Sequence, residues 1–318
     1  MPKVLNPLIL QRADPFILRH TDGFYYFTAS VPEYDRIEIR RSQTLHGLSN
    51  ATPLVVWKKP AVGPYSDLIW APEIHFNQER WCIYFAAAPN REIKEQLFQH
   101  RMYLITPPGG EAMVENWNMV GPVKTGIDTF CLDATTFTHR GKLYYLWAQK
   151  TPNVAGNSNL HIAEMKTPSE LATPPVMISR PEFPWETRGF AVNEGPAVLI
   201  RHGKVFVSYS ASATDENYCI GLLEADENSN LLDAKSWRKW SEPVSRSCYE
   251  HGVYGPGHNS FTVSEDGRRD ILVYHARTYT NIVGDPLWDP NRHTYIKTLG
   301  WDADGKPQFG RPSLDEYC

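Results

Sequence analysis

Residues 25–30 read YYFTAS, and the pattern returns as IYFAAA at 83–88, YYLWAQ at 144–149, VSYSAS at 207–212 and LVYHAR at 272–277. The aromatic landmarks Phe27, Phe85, Trp147, Tyr209 and Tyr274 are spaced 58, 62, 62 and 65 residues apart. A period of that size marks a repeat architecture. Within each unit, β-branched and aromatic residues alternate with small or polar ones between turn signals, which reads as several short strands. Helical periodicity is weak; the most helix-like run, REIKEQLFQHRMYL at 91–104, reads equally as an outer strand with its loop. Five such units predict an all-β chain, a five-bladed β-propeller over residues 1–318 whose blades pack radially about a central channel.

The bulk numbers agree with that reading. A chain of 318 residues with 42% hydrophobic and 12% aromatic residues can bury a large core without metals or disulfides. The net charge of −4 and the absence of a basic run give nucleic acid no footprint. No apolar stretch approaches the ~20 residues that span a bilayer, so no membrane partner is expected. The cysteines Cys82, Cys131, Cys219, Cys248 and Cys318 are odd in number and lack CxxC spacing. With an N-terminus, MPKVLNPLILQRADPF, that lacks a leader pattern, they lead to the expectation of a reducing cytoplasm. The tail carries a β-type run, HTYIKTLGW at 293–301, and a turn signal at Asp304-Gly305. It is expected to complete the last blade or to pair with the N-terminal segment, because a propeller must close its ring.

Upstream of each landmark stands an ionisable residue: Asp14, Glu73, Asp133, Glu194 and His258, at 13, 12, 14, 15 and 16 residues' distance. Their surroundings, RADPFI, WAPEIHF, CLDATTF, NEGPAVLI and GPGHNSF, are apolar and small, with Pro or Gly nearby in most. A carboxylate in such a strand is costly to bury unless paired or hydrogen-bonded. Each could merely start a strand or close a turn. Repetition in several units instead predicts convergence at one mouth of the channel. Converging carboxylates beside aromatic rings suit glycoside hydrolysis, which needs one carboxylic acid for the leaving oxygen and one carboxylate across from it. A third acid would help set the donor's pKa.

At these motifs the chain resembles the family 43 glycoside hydrolases, the arabinanase, arabinofuranosidase and β-xylosidase group, from RADPF to HART. The resemblance implies a five-bladed propeller and an inverting mechanism. It implies that Asp14 is the general base, Glu194 the general acid and Asp133 the residue that orients the acid and raises its pKa. It places His258 at the base of the channel, where relatives often hold calcium through waters and a histidine. A lone imidazole is a poor direct ligand for an oxygen-preferring ion, so a largely water-coordinated calcium, or none, is expected, and no cofactor is required. Arg277 of YHART resembles the family arginine that contacts the sugar; its fork could grip two hydroxyls or pair with a carboxylate. Trp70 and Glu73 would line the same pocket, Trp70 as a stacking platform, with Phe27 and Gln149 beside them. His75 and His275 lie in β-type runs and read as core histidines.

The stretches TASVPEYDRIEIRRS, LIWAPEIHF and DPNRH look most like exo-acting α-L-arabinofuranosidases, which makes an α-1,5-linked arabino-oligosaccharide the expected partner. The alternatives are β-xylosidase or endo-arabinanase action. Xylosidases of the family often carry a second β-sandwich domain, for which 318 residues leave no room. Outside the family, a fructan-cleaving retaining enzyme would show a WxNDPNG-like first motif in place of RADPF. A sugar-binding propeller would not need three carboxylates, and a scaffold propeller would have no ionisable ring.

Overall fold

The computed structural model describes residues 6–314. Each sequence unit forms one antiparallel sheet. The first comprises Ala13–Arg19 (β1), Tyr25–Ser30 (β2), Arg36–Ser42 (β3) and Leu54–Lys58 (β4). The second comprises Asp67–Asn77 (β5), Arg80–Ala88 (β6), Arg101–Thr106 (β7) and Asn118–Pro122 (β8). The third comprises Cys131–His139 (β9), Lys142–Gln149 (β10) and Asn159–Thr167 (β11), edged by Glu170–Leu171 (β12) and Val176–Ser179 (β13). Asn193–Arg201 (β14), Lys204–Ala211 (β15), Cys219–Asp226 (β16) and Arg238–Lys239 (β17) make the fourth. Tyr254–Val263 (β18), Asp270–Arg277 (β19), His293–Trp301 (β20) and Pro307–Gln308 (β21) make the fifth. The first strands β1, β5, β9, β14 and β18 contact one another in turn and then β1 again, so the sheets are the blades of a five-bladed β-propeller.

The landmark aromatics fall on the second strand of every blade and are buried. The apolar clusters lie between blades: Phe27 and Ile17 of blade one meet Ile271, Val273 and Ile296 of blade five, and Phe85 and Ile83 of blade two meet Ile37 and Ile39 of blade one. Both faces of a blade are therefore apolar, which explains the near-continuous hydrophobic second strands. The 91–104 run is not helical. Residues 91–100 form a loop, and Met102 to Ile105 are buried as strand three of blade two.

Both expectations for the tail are met. β20 is the third strand of blade five, and it also receives the N-terminal stretch: Leu8 N–H donates to Thr294 O at 2.8 Å and Thr294 N–H to Ile9 O at 2.9 Å. Cys318 lies outside the described residues; the other four cysteines are buried free thiols. Among the described residues, no helix is long and apolar enough to cross a membrane.

Candidate active site

All five first strands break register at the same place. Pairing jumps between Ala13 and Phe16, between Trp70 and Glu73, between Glu194 and Ala197, between Gly257 and Ser260, and opposite Leu146 and Ala148 in blade three. At each bulge one residue takes a left-handed backbone: Asp14 (φ 55), Ala71 (φ 45), Asp133 (φ 51), Gly195 (φ 53) and His258 (φ 41). Bulges re-aim side chains, and four non-glycine residues held at positive φ mark a site whose surroundings overdetermine the backbone. The bulge N–H groups are capped from the neighbouring blade. Ala71 N–H donates to Ser30 Oγ at 2.8 Å, Gly195 N–H to Asp133 Oδ2 at 3.0 Å, His258 N–H to Ser210 Oγ at 2.6 Å and Asp14 N–H to His275 Nδ1 at 3.0 Å. In blade four only glycine serves: a Cβ on Gly195 would stand 3.0 Å from His258 Cγ.

Asp14, Asp133, Glu194 and His258 thereby converge on one cavity of 330 Å³, together with Arg292 and Tyr218. Asp14 is held in its ionised form. Burial alone would push its carboxyl up, but His258 Nδ1 at 3.3 Å and the Arg292 guanidinium at 3.6 Å from Oδ1 outweigh that and hold it well below the usual carboxylate range. Ser30 Oγ donates to Oδ2 at 2.5 Å. His275 also lies 3.3 Å from Oδ1. Its Nδ1 already accepts the Asp14 N–H, and burial lowers its pKa to about 3, so it acts as a neutral acceptor and not as a charge partner.

The opposite wall is poised the other way. Burial pushes Glu194 up to about 7; Asp14 adds to the rise, while a hydrogen bond from Tyr218 and the charge of Arg292 resist it. Asp133, buried beside Glu194 and Asp14, is likewise raised well above a normal aspartate. Asp133 and Glu194 titrate as a pair. Asp133 reaches the Glu194 segment through the backbone of Gly195, the next residue.

Trp70 lines the cavity with Tyr34, Phe98 and Phe130, one side of its indole stacked on His100 with ring centroids 3.9 Å apart. Four expected lining residues are elsewhere. Glu73 is buried two residues past the bulge, where its Oε2 meets His75 Nε2 at 3.0 Å; Ala71 holds the position equivalent to Asp14. Phe27 is core between blades one and five. Gln149 is fully buried, accepting from Trp147 Nε1 at 2.8 Å and donating to Ile127 O at 2.5 Å. Arg277 is 2% exposed and spends its fork on Thr214 O, Pro286 O and Asp289 Oδ1, fastening the loop that walls the cavity. The cavity arginine is Arg292, from the DPNRH stretch, steadied by Tyr34 Oη at 2.8 Å. His75 and His275 are satisfied core histidines, although His275 also caps Asp14.

Calcium takes roughly six to eight oxygen ligands. Around His258 both Asp14 oxygens and Asp133 Oδ2 already face donors, and among the described residues no three His, Cys, Asp or Glu side chains are arranged to hold a metal. A directly ligated ion does not fit this donor set.

A profile of glycosyl hydrolases family 43 matches residues 4–307. The chain is 50% identical over 310 residues to an extracellular exo-α-(1→5)-L-arabinofuranosidase of Streptomyces avermitilis, covering 98% of the chain and 64% of that protein. It is 50% identical over 281 residues to a protein of the same name from Streptomyces chartreusis, covering 88% of the chain and 84% of that relative. The crystal structure of an α-L-arabinofuranosidase from Lactobacillus brevis superposes with a TM-score of 0.96 at 54% identity, over 99% of this chain and 98% of that one. Because the chain spans 64% of the Streptomyces avermitilis enzyme, chain length no longer argues against a xylosidase: an arabinofuranosidase relative is itself longer. The expected cytoplasmic location is also overturned, since both Streptomyces relatives are named as extracellular. Buried free thiols carry no contrary information, being shielded from oxidants in either compartment. With the profile spanning nearly the whole chain and half of all residues shared with these relatives, the chain belongs to glycosyl hydrolase family 43.

Proposed function

We propose that this protein is an inverting, exo-acting α-L-arabinofuranosidase that releases L-arabinofuranose from α-1,5-linked arabino-oligosaccharides. The observation that carries the reading is the opposite poise of two carboxyl groups in one cavity, Asp14 ionised and Glu194 raised to about 7. Pairs of acids whose surroundings drive their pKa values apart divide into base and acid. Asp14 would take a proton from the water that attacks the anomeric carbon. Glu194 would protonate the departing glycosidic oxygen. Asp133 would hold the strand carrying the acid through Gly195, and its own raised pKa limits the negative charge beside Glu194. His258 and Arg292 would keep Asp14 ionised. No step calls for a cofactor.

The exo assignment is supported by the names of the Streptomyces relatives. It is also supported by the walls of the cavity, where Ile93, Gln96, Leu97 and Phe98 of blade two and Asp285, Pro286 and Leu287 of blade five line it.

Proton NMR of the protein acting on α-1,5-arabinotriose, with xylobiose in parallel, tests the reading. Early release of β-arabinofuranose is the expected result. Early α-anomer would overturn inversion, and turnover of xylobiose alone would move the activity to β-xylosidase.

A further inference from the structure

Tyr218 stands immediately before β16, buried, with its ring in the cavity wall. Its hydroxyl donates to Glu194 Oε1 at 2.8 Å. The ring lies parallel to that of His275, at 7° with centroids 5.5 Å apart, and His275 is the residue that caps Asp14. Gly257 of β18 presses against the ring so closely that a Cβ there would fall 2.2 Å from it. Blades four and five together thus fix where the phenol oxygen sits.

Behind the ring, Ser210 Oγ accepts the N–H of His258, a backbone group that can only donate. The Tyr218 phenol has a single proton to give, and it is directed at Glu194 Oε1.

We propose that Tyr218 is the positioning residue of the acid: its hydroxyl, fixed between blades four and five, occupies Glu194 Oε1 as an acceptor and leaves Oε2 to carry the transferable proton. The proposal rests on the reading of Glu194 as general acid. In that step the Oε2–H bond breaks and the proton goes to the glycosidic oxygen, which keeps the electron pair of its severed bond to the anomeric carbon. The attacking water forms the new C–O bond and passes its proton to Asp14. Asp14, Asp133 and Arg292 also act on the Glu194 carboxyl, and His258 stands between the two aspartates. Only Tyr218 donates a hydrogen bond to the acid among the contacts described.

The test is Tyr218→Phe, which keeps the ring and deletes the donor. kcat/KM is measured against pH on α-1,5-arabinotriose and on an activated aryl α-L-arabinofuranoside. Losing a donor to the ionised carboxylate should raise the alkaline limb by about one pH unit. kcat on arabinotriose, whose leaving group needs the proton, should fall about tenfold or more, with little change on the aryl substrate. An unmoved alkaline limb with equal loss on both substrates would show a ring that merely packs, and would overturn the proposal. Should Tyr218→Phe fail to fold, a fluorinated tyrosine at position 218, a stronger donor on the same ring, should lower the alkaline limb, and an unmoved limb would overturn the proposal. If the wild-type protein turns over neither substrate, the functional reading itself falls; an unmoved limb in the variant of an active wild type overturns the positioning role alone.

Discussion

At pH 8 the Glu194 carboxyl is ionised in a setting that favours its neutral form, and stability bears the cost. Its folded pKa of about 7 lies above the ordinary glutamate value of 4.5, so the folded state binds more protons throughout that window. The stability linked to this group is present below about pH 4.5, falls as pH rises towards 7 and is lost above it. Glu194→Gln removes the charge at every pH. It should therefore stabilise the protein at pH 8 by on the order of 2–3 kcal/mol and do little at pH 4.5. Thermal melts at the two pH values check this; an equal shift at both would refute the raised pKa. Activity should follow the same two groups. kcat/KM should decline above about pH 7 as Glu194 loses its proton, while the acidic limb lies below that of an ordinary carboxylate because Asp14 stays ionised. Asp14→Asn should cost about 10²–10⁴-fold on every substrate, aryl arabinofuranosides included, whereas Glu194→Gln should spare the aryl substrates. Comparable activity of Asp14→Asn and wild type would remove Asp14 as the base.

At the scale of the element, the unit of construction is a first strand with one bulge, and this decides what the sequence could reveal. The period of the aromatic strands was legible because every second strand is buried on both faces, which forces Phe27, Phe85, Trp147, Tyr209 and Tyr274 to be large and apolar. Asp14, Asp133 and His258 were legible because a charged residue in such a strand is costly. Counting residues could not place the bulge, so Glu73 seemed equivalent to Asp14 although Ala71 holds that position, and Glu194 precedes its bulge by one residue. Arg277 and Arg292 exchanged roles for a similar reason. Both flank the same loop, and only the folded loop shows that one fastens it while the other faces Asp14. The cavity rim supplies a prediction at this scale. Lys94 and Leu97 exchange backbone hydrogen bonds across a two-residue turn in which Glu95 (φ 50) and Gln96 (φ 66) are both left-handed. Tight turns of this kind favour Asn-Gly. Glu95→Asn with Gln96→Gly should stabilise by roughly 1–2 kcal/mol, raising Tm by about 1–3 °C at this chain length. A lower Tm would show that the two native side chains contribute contacts that outweigh the strain.

For the molecule as a whole, the ring closes at the seam that carries Asp14. The stretch leading into β1 runs beside β20: Thr294 pairs with Leu8 and Ile9, Gln11 N–H donates to His293 Nδ1 at 2.9 Å, and Thr294 Oγ donates to Arg12 O at 2.9 Å. Asp14 follows on one side of this seam and Arg292 precedes β20 on the other, so the contact that keeps Asp14 ionised is assembled only when the ring shuts. Asn6 completes the seam by imitating a strand: its amide donates to Ile296 O at 2.8 Å and accepts from Ile296 N–H at 3.0 Å. Ile296 is fully buried, so Asn6→Ala would leave both backbone groups without these partners. The expected cost is about 1–3 kcal/mol, or about 2–5 °C in Tm. Because the loss is local to the seam, amide exchange at Thr294 and Ile296 should accelerate well before that of β15 in blade four. Uniform acceleration across all blades would mean that the ring opens only by global unfolding. Acceleration confined to β20, with activity falling at temperatures where blade four remains protected, would establish the seam as the place where this propeller first yields.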